Sequence, residues 1–138
     1  MTWYPRDKYS WDFWFAWDKE NKLHIFYLQA SQLECAYNPE RRHNLSSVGH
    51  AVLTDYGWQE VSLKNAAFEA KPRHESWDDL SIWTGSIIQE NDKYYMFWFF
   101  RRYYAKLLGK CQCNKALVAK LSKFLNPKAQ RFKTFKRL

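Results

Sequence analysis

Glu20-Asn21-Lys22-Leu23-His24-Ile25-Phe26-Tyr27-Leu28 and Glu90-Asn91-Asp92-Lys93-Tyr94-Tyr95-Met96-Phe97-Trp98-Phe99 repeat one pattern about 70 residues apart: a polar turn, then an aromatic strand. In both copies an aromatic-rich run also precedes the turn, Trp11 to Trp17 in the first and Ile82 to Ile88 in the second. Two further runs, Val48 to Thr54 and Trp58 to Leu63, lie between the copies. Short runs rich in Trp, Tyr, Phe, Ile and Val, bounded by polar turn residues, are strand-like and too short for helices. Asp18 to Asn21 and Glu90 to Asp92 then serve as hairpin loops. Leu23 to Leu28 and Tyr94 to Phe100 are apolar at odd and even positions alike, which implies burial on both faces, as in a sheet stacked between other sheets.

A repeated unit of four short strands is the building block of a β-propeller, whose blades hide their faces against one another. The period here exceeds that of most blades, so the polar segment Ser31 to Ser47 reads as a long inserted loop. A propeller ring closes with about four to eight blades, and this chain carries strands for about one and a half. Ile82 to Ile88 and Tyr94 to Phe100 are the first two strands of the second blade, and the outer two have no recognisable counterpart. The expected fold is all-β, an incomplete propeller.

Composition divides the 138 residues near Phe100. Residues 1–100 hold all 14 carboxylates, all eight Trp and all four His, against 10 Lys and Arg; Arg101 to Leu138 holds 12 Lys and Arg and no carboxylate. The net charge of +8 is thus a property of the tail. Leu107, Leu108, Leu117, Val118, Leu121, Phe124 and Leu125, separated by lysines, give Lys106 to Leu125 a weak helical periodicity, which predicts a basic amphipathic helix closed by Pro127. The switch in composition fits either an appended interaction segment or translation in a shifted reading frame, and its position in mid-blade favours the second. The organisation expected is therefore 1–100 as the strand-bearing part and 101–138 as a basic tail.

The N-terminus carries charges where a signal peptide needs an apolar stretch, and no run of about 18 apolar residues occurs. The chain reads as cytoplasmic, without a membrane partner. Cys35, Cys111 and Cys113 cannot all pair, and no disulfide is assigned. Cys111-Gln112-Cys113 lacks the second pair that a zinc site needs, so no metal or other cofactor is expected.

The stretch His43-Asn44-Leu45-Ser46-Ser47-Val48-Gly49-His50-Ala51-Val52-Leu53-Thr54-Asp55-Tyr56-Gly57-Trp58 resembles a segment of invertase-like (family 32) glycoside hydrolases that reads roughly Gly-His-Ala-Val-Ser-x-Asp-Leu-x-x-Trp. Gly49, His50, Ala51, Val52, Asp55 and Trp58 stand at matching positions, with Leu53 and Thr54 in place of the usual pair. Trp83-Thr84-Gly85-Ser86 looks like the strand that opens the second blade in invertases and levansucrases, and Tyr95-Met96-Phe97-Trp98 resembles the strand after it. The resemblance spans residues 9 to 100 and extends to the arabinanases, which share the five-bladed fold. It implies a funnel-shaped sugar site on the propeller axis, lined by carboxylates from the innermost strands of different blades. In these families a first-blade Asp is nucleophile or general base, a later Asp steadies the transition state or tunes a neighbouring pKa, and a Glu is the general acid.

The resemblance puts Asp12 at the first of those positions, although Asp12 is followed by Phe13 where invertases carry Asn-Asp-Pro-Asn. The later Arg-Asp-Pro and Glu-Cys motifs have no counterpart; Glu34-Cys35 lies in the first-blade loop and shares only two letters. Glycoside cleavage takes two carboxyl groups about 5 to 9.5 Å apart, so this chain is expected to be inactive on its own. Trp14 and Trp83 are the indoles expected nearest the axis, where an aromatic face suits the apolar face of a sugar ring. Asp78 and Asp79 either hydrogen-bond sugar hydroxyls at the lip of the second blade or form a solvated turn. His50 reads as a hydrogen-bonded structural residue.

The function expected is that of a truncated, glycoside hydrolase-like, carbohydrate-active protein. Two alternatives stand beside it: a small basic binding module for nucleic acid or acidic surfaces, and a sugar-binding protein without catalysis. No nucleic-acid motif accompanies the basic tail. Open sheet edges predict self-association.

Overall fold

The computed structural model describes residues 3–61, 66–70, 81–90, 93–101 and 117–120. They form two antiparallel sheets. The first is a meander of β1 (Lys8–Trp17), β2 (Leu23–Ser31), β3 (Ser47–Thr54) and β4 (Gly57–Glu60), each paired with the next; the second has the order β5 (Ser81–Glu90), β6 (Lys93–Arg101), β7 (Leu117–Lys120). The all-β expectation holds. The strand expected over Trp58 to Leu63 ends at Glu60 among the described residues.

Local chemistry fixes each hairpin. At the β1–β2 turn the Asp18 carboxylate accepts from the backbone N–H groups of Glu20 and Lys22 at 2.9 and 2.8 Å, and Asn21 takes the left-handed conformation that Asn tolerates. At the β3–β4 turn Thr54 Oγ1 donates to the Gly57 carbonyl at 2.8 Å, and Gly57 has φ +99°, a value that strains a side chain.

Inside the first sheet Tyr27 lies opposite Gly49, and a Cβ on Gly49 would come within 2.3 Å of the Tyr27 ring. Only hydrogen there lets the ring lie flat across β3. Its hydroxyl then donates to Glu60 Oε1 at 2.9 Å, and Lys8 Nζ reaches the same oxygen at 2.8 Å. Burial, the largest effect, together with the Glu60 carboxylate pushes the Tyr27 phenol far above its usual pKa, so it remains a donor.

Packing between the sheets makes the main core: Trp14, Phe26, Leu28 and Val48 from the first meet Ile82, Tyr94 and Met96 from the second. His24 to Ala30 are all buried, as the two-sided apolar pattern of β2 required. Among the described residues, the cover on the far side is not a second stacked sheet. Trp3 and Trp58 close over Ile25 and Tyr27 there.

The tail departs from expectation. Leu117–Lys120, placed in a helix by the leucine spacing, is a strand that pairs antiparallel with β6 from Trp98↔Leu117 to Tyr95↔Lys120. The open edge of β6 offers a row of backbone donors and acceptors, and pairing there outweighs a weak helical periodicity. The rest of the expected helix lies outside the described residues.

The long loop after β2 is compact. Cys35, Ala36, Tyr37 and Asn38 donate backbone hydrogen bonds back along the chain, and Asn38 caps the 3-10 turn Pro39–Asn44 by accepting from Glu40 N–H at 2.9 Å. The turn ends against β5. Ser46 holds Ile82 at both backbone groups, donating from Oγ to its carbonyl and accepting its N–H at 3.3 Å. The loop between β2 and β3 thereby locks the second sheet onto the first.

Candidate functional site

Both first strands carry an irregularity at a comparable distance from their turns. In β1 the register steps from Trp11↔Leu28 to Phe13↔Tyr27, leaving Asp12 as an extra residue with φ +47°. In β5 it steps from Ile82↔Phe100 to Gly85↔Trp98, so that Trp83 and Thr84 stand opposite one residue. A bulge bends its strand and redirects the side chains beside it, and bulges concentrate next to functional sites.

Here the two bulges flank the 3-10 turn. The Trp11 ring meets His43 edge-on at 5.7 Å between centroids, and Trp83 lies tilted on His43 at 5.9 Å. The Arg42 guanidinium sits 5.6 Å from the centre of Trp11 and donates to the Pro39 carbonyl at 2.8 Å. All four side chains are partly exposed, giving a corner of two indole rings, an imidazole and a guanidinium that lies over one of the indoles. Stacking a guanidinium on an indole orients its remaining donors outward, suited to hydroxyl or anionic groups.

The structure sorts the expected site residues. Trp83 lies in this corner, and Asp12 sits exposed on the bulge beside Trp11. The backbone gives Asp12 a structural reason as well, since Asp is among the few residues that accept a positive φ. Trp14 is a correction: the extra residue at position 12 turns both Trp11 and Trp14 toward the second sheet, and Trp14 is sealed in the core, 7% exposed. Its ring face is taken by packing. Asp78 and Asp79 lie outside the described residues. Trp11, Arg42 and His43 were not singled out from the sequence, because their convergence depends on the loop after β2 folding back.

A second constellation occupies the other end of the first sheet. His24 Nε2 lies 3.1 Å from Asp18 Oδ2, and His24 Nδ1 lies 2.8 Å from His50 Nε2. A His24 Nε2–H donates to the carboxylate, and the neutral His50 ring shares one proton with His24 Nδ1 through its Nε2. The His50 ring stacks on Phe26, 4.2 Å between centroids and parallel within 1°. Burial, with the His24 charge adding to it, pushes His50 down to about 3. Burial alone would raise the Asp18 carboxyl, but the Lys22 N–H, the His24 ring and charge, and the Glu20 N–H together hold it below its usual value.

This chain of groups is structural: His50 is 2% exposed and stays neutral at physiological pH. The sequence expectation for His50 as a hydrogen-bonded residue agrees with its contact to His24. Asp18 follows β1 and lies about 20 Å along the chain from Asp12, with five residues between them.

Among the described residues, no group of His, Cys, Asp and Glu is arranged to hold a metal ion. Cys35 is a buried free thiol, pushed up in pKa chiefly by burial; Cys111 and Cys113 lie outside the described residues. Among the described residues no helix is long and apolar enough to cross a membrane. No family model, curated protein or solved structure matches the chain.

Proposed function

We propose that the chain is a carbohydrate-binding protein built on the propeller plan of invertase-like glycoside hydrolases, taking sugar at the corner formed by Trp11, Asp12, Arg42, His43 and Trp83. The observation that carries this reading is the meeting of two bulged first strands at one aromatic corner. In the propeller plan, β1 and β5 are innermost strands of successive blades, and the residues at their bulges face the axis. Indole faces cover the apolar face of a pyranose or furanose ring, while Arg42 and Asp12 supply a donor and an acceptor for hydroxyls.

The four-strand meander, the hairpin that repeats it and the Gly49–Trp58 stretch support the same plan. By the resemblance Asp12 stands for the family's first carboxylate; it is the one carboxylate of the corner among the described residues, and one carboxylate does not hydrolyse a glycoside. The 138-residue chain therefore binds sugar without cleaving it. The test is a titration with fructo- and arabino-oligosaccharides followed by Trp fluorescence, with product analysis on the same samples. Saturable binding that Trp83→Ala abolishes, with no hydrolysis, is the expected result. Binding unchanged in Trp83→Ala, or sugar release lost in Asp12→Asn, would each refute part of the proposal.

A further inference from the structure

The face of the first sheet that points away from the second is aromatic and largely open. Phe13, Phe15 and Trp17, at alternate positions of β1, are 51, 53 and 54% exposed. Trp3 and Trp58 cover Ile25 and Tyr27, and the Trp58 ring also meets Phe15 at 6.2 Å, yet the stripe keeps about half of its surface open. The face runs into a groove of about 700 Å³ lined by Trp17, Leu23, Leu53 and Glu60 among others. It lies on the opposite side of the sheet from the Trp11–His43–Trp83 corner, because Trp11 packs toward the inter-sheet core.

The internal repeat says what such a face fits. Counted from the shared turn, Phe15 and Trp17 correspond to Gly85 and Ile87, and Leu23 and Ile25 to Tyr94 and Met96. In the second sheet those positions are the packed ones: Tyr94 and Met96 are buried against the first sheet, with Ile87 beside them. The open face of the first sheet is thus the equivalent of the face by which the second sheet docks. Its counterpart, equivalent to the docked side of the first sheet, is the outward side of the second, where Thr84, Ser86 and Ile88 are exposed, Ile88 at 54%.

We infer that the exposed aromatic face of the first sheet docks onto the outward face of the second sheet of another copy of this chain, continuing between molecules the interface already present within one. The contact is head-to-tail, using different surfaces on the two copies. The three aromatics alone offer about 300 Å² of apolar surface, against about 800 Å² per partner in a stable complex. Association is accordingly expected to be weak and concentration-dependent.

Sedimentation velocity over a concentration series tests this with two surface variants, Phe15→Lys on the first sheet and Ile88→Lys on the second, each checked for an unchanged circular dichroism spectrum and melting temperature. The wild type is expected to gain mass with concentration, and each variant alone to dissociate about tenfold more readily. Mixing the two variants is expected to restore a one-to-one dimer, since the Ile88→Lys copy keeps an intact aromatic face and the Phe15→Lys copy an intact second sheet. A wild type monomeric at every concentration would overturn the inference. So would association untouched by either variant, which edge-to-edge pairing produces, or loss with Phe15→Lys alone, which a face-to-face symmetric contact produces.

Discussion

Acid should unfold this protein through His50 well before its carboxylates respond. The folded ring is held to a pKa of about 3 by burial, against 6.5 for the exposed imidazole of the unfolded chain. Between those values the unfolded state binds one proton more than the folded state, so stability falls as pH drops; above 6.5 neither state is protonated and the group contributes no slope. At 1.36 kcal/mol per unit, going from pH 7.5 to pH 5 costs about 2 kcal/mol, and the loss approaches about 5 kcal/mol near pH 3. Asp18 adds to this only lower down: its carboxyl is held below 3.8 in the folded state, so its stabilisation is present above 3.8 and is lost as pH falls through the folded value. The His50 loss runs from 6.5 down to about 3 and the Asp18 loss starts only below 3.8, so His50 acts alone over most of its range.

The control is His50→Gln, whose amide can still donate to His24 Nδ1 but does not titrate. Urea unfolding followed by Trp fluorescence at pH 7.5 and pH 5 gives both free energies for each protein. The wild type should lose about 2 kcal/mol more than His50→Gln between the two pH values. Equal losses would show that His50 takes up its proton in the folded state, and the burial of a neutral His50 ring against His24 would be wrong.

Three other substitutions probe the frame. Gly49→Ala drives a methyl into the Tyr27 ring and should cost about 1 to 3 kcal/mol in urea unfolding, because both strands around it are fixed by pairing; unchanged stability would contradict the close approach of ring and backbone. Ser46→Ala removes the hydroxyl that holds the Ile82 carbonyl, and a loss of about 1 kcal/mol with faster amide exchange at Ile82 is expected, whereas unaltered exchange would remove the loop from its locking role. Tyr27→Phe leaves Glu60 paired with Lys8 alone, and a loss near 1 kcal/mol in urea unfolding should follow.

Hydrophobic patterning made most of the strands legible. Runs such as Leu23 to Leu28 carry both the strand propensity and the two-sided burial in their composition, and turns such as Asp18 to Lys22 announce themselves through side chains that cap their own backbone. Single-residue irregularities left no such mark. Nothing in Trp11-Asp12-Phe13 distinguishes a bulge from a regular strand, yet that one residue decides that Trp14 is core and Trp11 lines the corner. The corner also needs Arg42 and His43, delivered by a loop that reads as a polar insertion. Leu117–Lys120 was hidden by lysines that imitate a helical spacing, and only the unpaired edge of β6 reveals its use as a strand. His24 and His50 sit on neighbouring strands, and their contact depends on a register that composition does not specify.

The sugar-binding corner is tested most directly by following the indole N–H resonances of Trp11 and Trp83 in a ¹⁵N-labelled chain while fructo-oligosaccharide is added. The account predicts that these two signals shift together and saturate while that of core Trp14 stays in place. No movement at either indole, or movement confined to Trp17 on the opposite face of the sheet, would contradict it.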